Sequence, residues 1–310
     1  HENRQNLARS VRIAWWSGHS HGRYAGSTWY ADTFGLDLIA HCVAQVNCDS
    51  PGCRWATEYR NLSFTPDLGA FTQAVIHDIT GLAAEGERPP RAGDYSFNNL
   101  GISGTLMLSS TMPQSVADEH GYYAVGGCGG NIAWHTVDDT LEIADKENLK
   151  RDIKVYGGVV WRLANAPVLP LDLAAAGADI KESLNRYQQA LGDHFDLGEA
   201  IAAADAVIAA ATAFTAKANA TDPAAGKETN TCLLRAGREL TGLNFAQRGW
   251  FRQEPALDVP ALPDLAAAVR AFTESPEESH TAGVARTSLV RARNRAIWAL
   301  REAARELGTA

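Results

Sequence analysis

The feature that most constrains this fold is a change of pattern near residue 165. Before it, short β-branched and aromatic runs alternate with segments of helical periodicity. After it, the chain is rich in alanine and its apolar residues recur at helical spacing. The junction, "ANAPVLPLDL", carries two prolines and the potential helix-capping residue Asp172. We therefore predict two domains, 1–164 and 165–310.

Three runs in the first domain have strand character, namely Val11–Trp16, Val43–Asn47 and Gly104–Ser110. The segment between the first two, "GSTWYADTFGLDLIAHC", has apolar spacing that suits a helix of several turns. A strand, helix, strand order is typical of a parallel sheet with helices on its faces. The sequence therefore predicts an α/β domain with a mostly parallel sheet.

The second domain is predicted to consist of long helices, which cover roughly 173–191, 197–220, 229–243 and 281–307. The last helix carries one apolar stripe. Its members are Leu289, Ala296, Ile297, Leu300, Ala303 and Leu307. Several helices with such stripes can bury them against one another, so we expect an α-helical bundle.

Composition limits the classes of partner. The formal net charge is -8, which provides no basic surface for nucleic acid. No apolar run approaches the roughly 20 residues that a membrane span needs, and the first ten residues are too polar for a signal peptide. The five cysteines contain no CxxC pair, which favours free thiols and a reducing compartment. We therefore expect a cytoplasmic protein that contacts neither nucleic acid nor a membrane.

Polar side chains follow the ends of the predicted strands. Open parallel sheets bind their ligands beyond the carboxyl ends of the strands. His19 and His21 follow the first strand, Asp49 follows the second, and His135 follows a Gly-rich loop with Asp139 close behind. Imidazoles and a carboxylate are the ligand set of a catalytic zinc, and a nearby carboxylate can orient a ligating imidazole. The sequence therefore predicts a metal site built from these residues.

Each residue also has a structural interpretation that the spacing leaves open. Asp49 suits a turn or helix cap, His19 and His21 suit surface positions beside a glycine turn, and His135 suits an ordinary loop. Trp134, directly before His135, is either an aromatic side chain facing substrate or a packing residue over the sheet.

Three separated motifs of the sequence resemble those of a known family. The stretches "VRIAWWSGHSHGRYAGSTWYAD", "NCDS" and "WHTVDDT" occur in the order found in the M28 zinc peptidases. "LANAPVLPLD" resembles the phrase that joins the peptidase domain of that family to a helical dimerisation domain. The chain resembles most the branch with glutamate carboxypeptidase II, the transferrin receptor and leucyl-aminopeptidase-like proteins. The resemblance covers nearly the whole chain.

The resemblance implies particular roles for the site residues. Asp49 matches one aspartate ligand of the family, and His135 matches its later histidine ligand. Ser20 occupies the position of the catalytic base glutamate and His21 that of the glutamate ligand. Serine cannot act as the base, whereas a one-residue shift of the turn offers His19, whose unperturbed pKa near 6.5 suits proton transfer. Asp139 would support the site from behind the ligands.

The family's first histidine and bridging aspartate precede the strand that corresponds to Val11–Trp16. The resemblance therefore implies that an upstream segment or a separate chain completes the metal site. It implies one or two zinc ions, or another divalent metal, a small peptide or amide substrate, and a homodimer. The leading hypothesis is a metal-dependent hydrolase of M28 type. The alternative is a non-catalytic homologue that acts as a binding or dimeric scaffold protein, which the altered glutamate pair favours.

Overall fold

A computed structural model describes most of the chain, namely residues 4–17, 24–90, 95–106, 108–219, 226–253, 259–276 and 278–308. The chain divides into two compact units. The first unit comprises His1–Trp15, Ala44–Pro89 and Gly104–Ala166. The second unit comprises Trp16–Val43, Pro90–Ser103 and Pro167–Ala310. The division into contiguous domains at residue 164 stays a prediction.

Helices predominate over strands in both units. The helices are α1 (Ala25–His41), α2 (Pro66–Thr80), α3 (Tyr95–Asn98), α4 (Gln114–His120), α5 (Lys146–Asn165), α6 (Leu173–Leu191), α7 (Gly198–Asn219), α8 (Gly226–Phe245), α9 (Pro263–Thr273) and α10 (His280–Gly308). The strands are β1 (Gln45–Val46), β2 (Tyr59–Ser63), β3 (Ala84–Glu87) and β4 (Gly104–Thr105). The described part of the chain is thus mostly helical, with a few short strands.

The strands pair in parallel, as predicted. β1 pairs with β4, and Gln45 lies opposite Gly104. β2 pairs with β3, and Tyr59 lies opposite Ala84. Within the described residues these pairs form two separate two-stranded sheets, so the predicted sheet-dominated core is replaced by packing of helices on short strands.

The predicted strand at Val11–Trp16 is wrong. This segment belongs to no ladder among the described strands, and the side chains of Val11, Ile13 and Trp15 are 45%, 68% and 88% exposed. β-branched and aromatic residues favour a strand only where a neighbouring backbone supplies hydrogen bonds and a buried face. The predicted strand at 104–110 is also shorter than expected, because Leu106 has a φ of 60° and leaves extended geometry.

The core of the first unit lies between β2, α2 and α5. β2 buries Tyr59 and Leu62, and α2 packs against α5. The close approach of these helices requires a glycine, because a Cβ on Gly158 would lie 2.4 Å from the tip of Ile79. The aspartate Asp145 caps α5 by accepting a hydrogen bond from the Asn148 amide at 2.8 Å. This packing fixes α5 behind the segment that follows β1.

The long helices of the second unit begin and end near the predicted residues. The carboxylate of Asp172 caps α6 as expected, accepting a hydrogen bond from the Ala175 amide at 3.0 Å. Helix α10 packs against α7, α8 and α9, and α6 packs against α7. The predicted stripe of α10 is buried within this unit, where Leu289, Leu300 and Leu307 are at most 3% exposed.

Helix α7 contains one stretch, Gly198–Ala218, that is long and apolar enough to cross a membrane. The sequence-based expectation of no such run therefore needs correction. Length and composition are weak grounds for a membrane span, because core helices meet the same criteria. Helix α7 packs against α6 and α10, and a third of its apolar window is buried by these contacts.

Candidate functional site

Only part of the predicted site can be placed. His19, Ser20 and His21 lie outside the described residues. The four remaining predicted residues, Asp49, Trp134, His135 and Asp139, belong to the first unit. They occupy two loops, residues 47–56 after β1 and residues 121–140 after α4, which we call the Asp49 loop and the His135 loop.

Asp49 lies three residues beyond the end of β1, at the carboxyl end of a parallel strand pair. Its side chain is half-buried, and Oδ1 accepts a hydrogen bond from the Ser50 hydroxyl at 2.9 Å. Ser50 has a φ of 52°, in the left-handed region. The carboxylate therefore stands where the strand-end rule predicted a ligand group.

The Asp49 loop is fastened to helix α5 by a buried carboxylate that sequence reasoning missed. Asp152 is 0% exposed and accepts hydrogen bonds from the Gly52 amide at 2.8 Å, the Tyr59 hydroxyl at 2.7 Å and the Ser110 hydroxyl at 2.8 Å. The guanidinium of Arg151 lies 3.6 Å from the same carboxylate. A buried carboxylate is stable only with such partners, so Asp152 joins three segments around one charge.

Backbone groups of the Asp49 loop make further contacts with α5. The Asp145 amide donates to the Gly52 carbonyl at 2.8 Å, and the Asn148 side chain donates to the Cys53 carbonyl at 2.8 Å. Arg151 donates to the Ala56 carbonyl. Gly52 has a φ of 75°, and a Cβ there would lie 2.5 Å from the Cβ of Leu149. The loop thus passes close to α5 with a conformation and spacing that require glycine.

The signal for Asp152 was present in the sequence as a polar residue on an apolar stripe. The buried positions of α5 are Asn148, Asp152, Val155, Val159, Leu163 and Ala164. Asp152 shares the spacing of the valines, which predicts a buried side chain. A charged residue at such a position needs hydrogen-bond partners, and the sequence alone did not identify them.

The His135 loop begins with a Gly-rich turn that lies against the Asp49 loop. The Gly129 carbonyl accepts a hydrogen bond from the Met112 amide at 2.8 Å. Cys128 and Cys53 are each 7% exposed and form a buried cluster with Ala56. The Cys128 thiol donates to Oδ2 of Asp139 at 3.5 Å. The two loops therefore meet through their cysteines.

Trp134 packs against this cluster, and its ring is stacked on the imidazole of His135 with centroids 3.9 Å apart. Gly127 permits the contact, because a Cβ at that position would lie 2.3 Å from Nε1 of Trp134. His135 is exposed and has a φ of 62°. The indole thus has the packing contacts of the structural interpretation, and its contact with substrate stays a prediction.

Burial and negative charge dominate the electrostatics between the loops. Burial raises the pKa of Cys53 to about 12 and that of Cys128 to about 11. The charge of Asp139 raises the pKa of Cys128 further, and the charge of Asp49 does so to a smaller extent. Asp49 and Asp139, from different loops, therefore both lie close enough to act on one thiol.

Within the first unit, four of the five described non-glycine residues with positive φ lie in the two loops. Ser50, Trp55, Cys128 and His135 all have positive φ values between 48° and 64° although none is glycine. Each such residue costs of order 1 kcal/mol or more unless its surroundings hold it in place. Strain of this kind clusters at functional sites, which makes the meeting point of these loops the strongest site in the first unit.

The donor groups suit zinc in kind. A carboxylate and an imidazole, from Asp49 and His135, are both groups that bind zinc in proteins. Among the residues that the structure describes, no three His, Cys, Asp or Glu side chains are arranged to hold one metal ion. The predicted ligands His19 and His21 lie outside those residues.

Comparison of the chain with protein-family models and with curated proteins gave no match.

Proposed function

We propose that this chain acts in a metal-dependent hydrolase of peptide or amide bonds of the M28 type, with a small peptide or amide as substrate. The observation that carries the proposal is that the loops of Asp49 and His135 meet beside a parallel strand pair. Cys53 of the Asp49 loop and Cys128 of the His135 loop share one buried cluster, and Asp49 stands at the end of the strand pair. Loops at the carboxyl end of parallel strands are typical ligand sites in α/β proteins.

The proposal gives each residue a separate role. Asp49 would hold the metal through its carboxylate, one oxygen of which accepts the Ser50 hydroxyl hydrogen bond. His135 binds through its imidazole, which its exposed position leaves accessible to solvent. When bound, zinc or a similar divalent ion acts as a Lewis acid on the scissile carbonyl and lowers the pKa of water.

The remaining ligand and the proton acceptor come from the "GHSHG" turn. His21 is the third ligand in this proposal, and His19 takes that place if the turn is shifted by one residue. An imidazole that does not bind the metal can move a proton at neutral pH, because its ordinary pKa is near 6.5. Ser20 is ordinarily too weak a base for this step and serves only to space the two histidines.

The proposal also includes the architecture of residues 165–310, the pairing of two chains and the cellular compartment. We assign residues 165–310 to a helical bundle that pairs two copies of the chain, and we assign the protein to the cytoplasm. The second candidate function is a non-catalytic scaffold with the same fold. The replacement of the family's glutamate pair by Ser20 and His21 is the observation that favours it.

Metal analysis of the natural protein separates the two functions. The hydrolase requires near-stoichiometric zinc, cobalt or manganese after purification without chelators. Asp49→Asn and His135→Ala should each lower the metal content at least about tenfold, because each removes a ligand. Asp138→Asn, an exposed carboxylate of the same loop, should leave it unchanged. A natural protein without bound metal, and without metal-dependent amidase activity, would support the scaffold instead.

A further inference from the structure

Two buried thiols from distant parts of the chain touch each other in the first unit. Cys53 lies in the Asp49 loop and Cys128 in the His135 loop, and both belong to the same buried cluster as Ala56. The Cys53 thiol donates a hydrogen bond to the Ser50 carbonyl at 3.4 Å, and the Cys128 thiol donates to Oδ2 of Asp139 at 3.5 Å. Both cysteines are free in the structure.

The backbone beside Cys128 passes close to Cys53. A Cβ built on Gly129, the residue after Cys128, would lie 2.9 Å from the Cβ of Cys53. A disulfide requires the Cβ atoms of the two cysteines themselves to lie about 3.5–4.5 Å apart, so the proposal requires this spacing between Cys53 and Cys128, which share one buried cluster. Cys128 has a φ of 48°, in the left-handed region.

We propose that Cys53 and Cys128 are a modification site, at which a disulfide oxidant such as oxidised glutathione converts the thiol pair into an intrachain disulfide. One thiolate attacks the glutathione disulfide, whose S–S bond breaks and releases one glutathione. The second thiolate attacks the mixed disulfide and releases the second glutathione. The pair loses two protons and two electrons, and the glutathione disulfide gains them as two thiols.

The surroundings of the pair determine how fast it reacts. The thiolate is the nucleophile, and burial keeps both pKa values near 11 or above, so oxidation is slow at neutral pH and accelerates as the pH rises. Oxidation also removes the thiol proton that Cys128 donates to Asp139, which changes the hydrogen bonding of the His135 loop.

The other three cysteines serve as internal controls. Cys42 and Cys232 belong to the second unit. Cys48 is exposed and lies outside the buried cluster of Cys53 and Cys128. Oxidation should therefore select one pair out of five thiols.

The test is oxidation of the reduced protein by oxidised glutathione at pH 8.5, followed by alkylation and mass spectrometry. We expect a product 2 Da lighter by the loss of two hydrogens, three alkylated thiols, and a cross-linked peptide that joins Cys53 to Cys128. A reductant should reverse the change. The oxidised form should melt about 5 °C higher, because the bond closes a long loop.

Variants sharpen the result. Cys53→Ser and Cys128→Ser should each abolish the cross-link and the rise in melting temperature, whereas Cys48→Ser should retain both. Mass-spectrometric mapping of the disulfide in the chain without substitutions decides the question even where a variant folds poorly. Five alkylated thiols in the folded protein, under conditions that oxidise the urea-unfolded chain, would overturn the proposal, as would a disulfide between another pair. The readout involves neither metal nor catalysis, so it is independent of the proposed hydrolase.

Discussion

The backbone amide of Gly52 donates a hydrogen bond to Oδ2 of Asp152 across 2.8 Å, although 100 residues separate them in the chain. This bond holds the segment that follows Asp49 against the buried face of α5. The same carboxylate also accepts bonds from Tyr59 and Ser110. The position of the Asp49 loop therefore depends on Asp152, whose hydrogen-bond partners Gly52, Tyr59 and Ser110 are not predicted metal ligands.

Replacing Asp152 by Asn should destabilise the first unit strongly. The asparagine side-chain NH₂ would face groups that donate hydrogen bonds to Asp152, such as the Gly52 amide and the Ser110 hydroxyl. The change also removes the negative charge beside Arg151. Breaking a buried ionic and hydrogen-bonded group of this kind costs about 3 kcal/mol. Urea denaturation followed by tryptophan fluorescence measures the loss.

Asp78→Asn is the matched control. Asp78 of α2 forms an exposed ion pair at 2.8 Å with Arg162, which lies on α5 as Asp152 does. Exposed pairs contribute about 0–1 kcal/mol, so the control should unfold nearly as the natural chain does. Equal losses in the two variants would show that Asp152 does not hold the Asp49 loop.

Gly52→Ala should be more damaging than the same change at Gly81, although both glycines have nearly the same φ, 75° and 73°. A Cβ at Gly81 meets no atom within 4 Å, so that variant reports backbone strain alone, about 1 kcal/mol. A Cβ at Gly52 lies 2.5 Å from that of Leu149, which adds a steric cost of about 2 kcal/mol. Thermal unfolding of the two variants measures the difference, and equal melting temperatures would refute the close packing.

Stability of the second unit should depend on the ionisation of Glu239. Burial raises the pKa of this half-buried carboxyl, the charge of Glu302 and then of Glu306 raises it further, and Arg295 opposes them. The folded state therefore binds the proton more tightly than the unfolded state does. The stability that this group contributes is present at low pH and is lost as the pH rises through the folded-state pKa.

Glu239→Gln, which cannot ionise, should accordingly have a larger free energy of unfolding than the natural chain at pH 7. The difference should shrink toward pH 4, where the glutamate is also neutral. Glu228→Gln, an exposed position on the same helix, supplies the comparison. Chemical denaturation at several pH values measures both variants, and a difference independent of pH would contradict the expectation.

If two copies pair through the helical half, they should use the outward face of α10. The apolar stripe of this helix is already buried, whereas Val284 and Trp298 are 54% and 68% exposed. Light scattering at micromolar concentration should give twice the 33.3 kDa chain mass. Stable pairs commonly bury more than about 1,200 Å², which the long α10 has the length to supply.

Trp298→Glu should convert this pair to monomers without a change in helix content. Trp161→Glu, at an exposed position on α5 in the first unit, should leave the pair intact. A natural chain that is monomeric at these concentrations would rule the pairing out.

Sequence by itself determined the local features of this protein. The limits of α6 and α10, the cap at Asp172 and the burial of the α10 stripe follow from periodicity and capping within a few neighbouring residues. Parallel pairing of the strands was also predicted, although the strand, helix, strand unit that led to the prediction begins with Val11–Trp16, which forms no strand among the described residues.

Tertiary structure alone decided the features that depend on distant partners. Val11–Trp16 has strand propensity but no neighbouring described strand, and its side chains Val11, Ile13 and Trp15 remain exposed. The three donors on Asp152 and the contact of Cys53 with Cys128 join segments about 40 to 100 residues apart. Periodicity shows which face of a helix is buried, but only the packed chain supplies the atoms that a buried charge or thiol meets there.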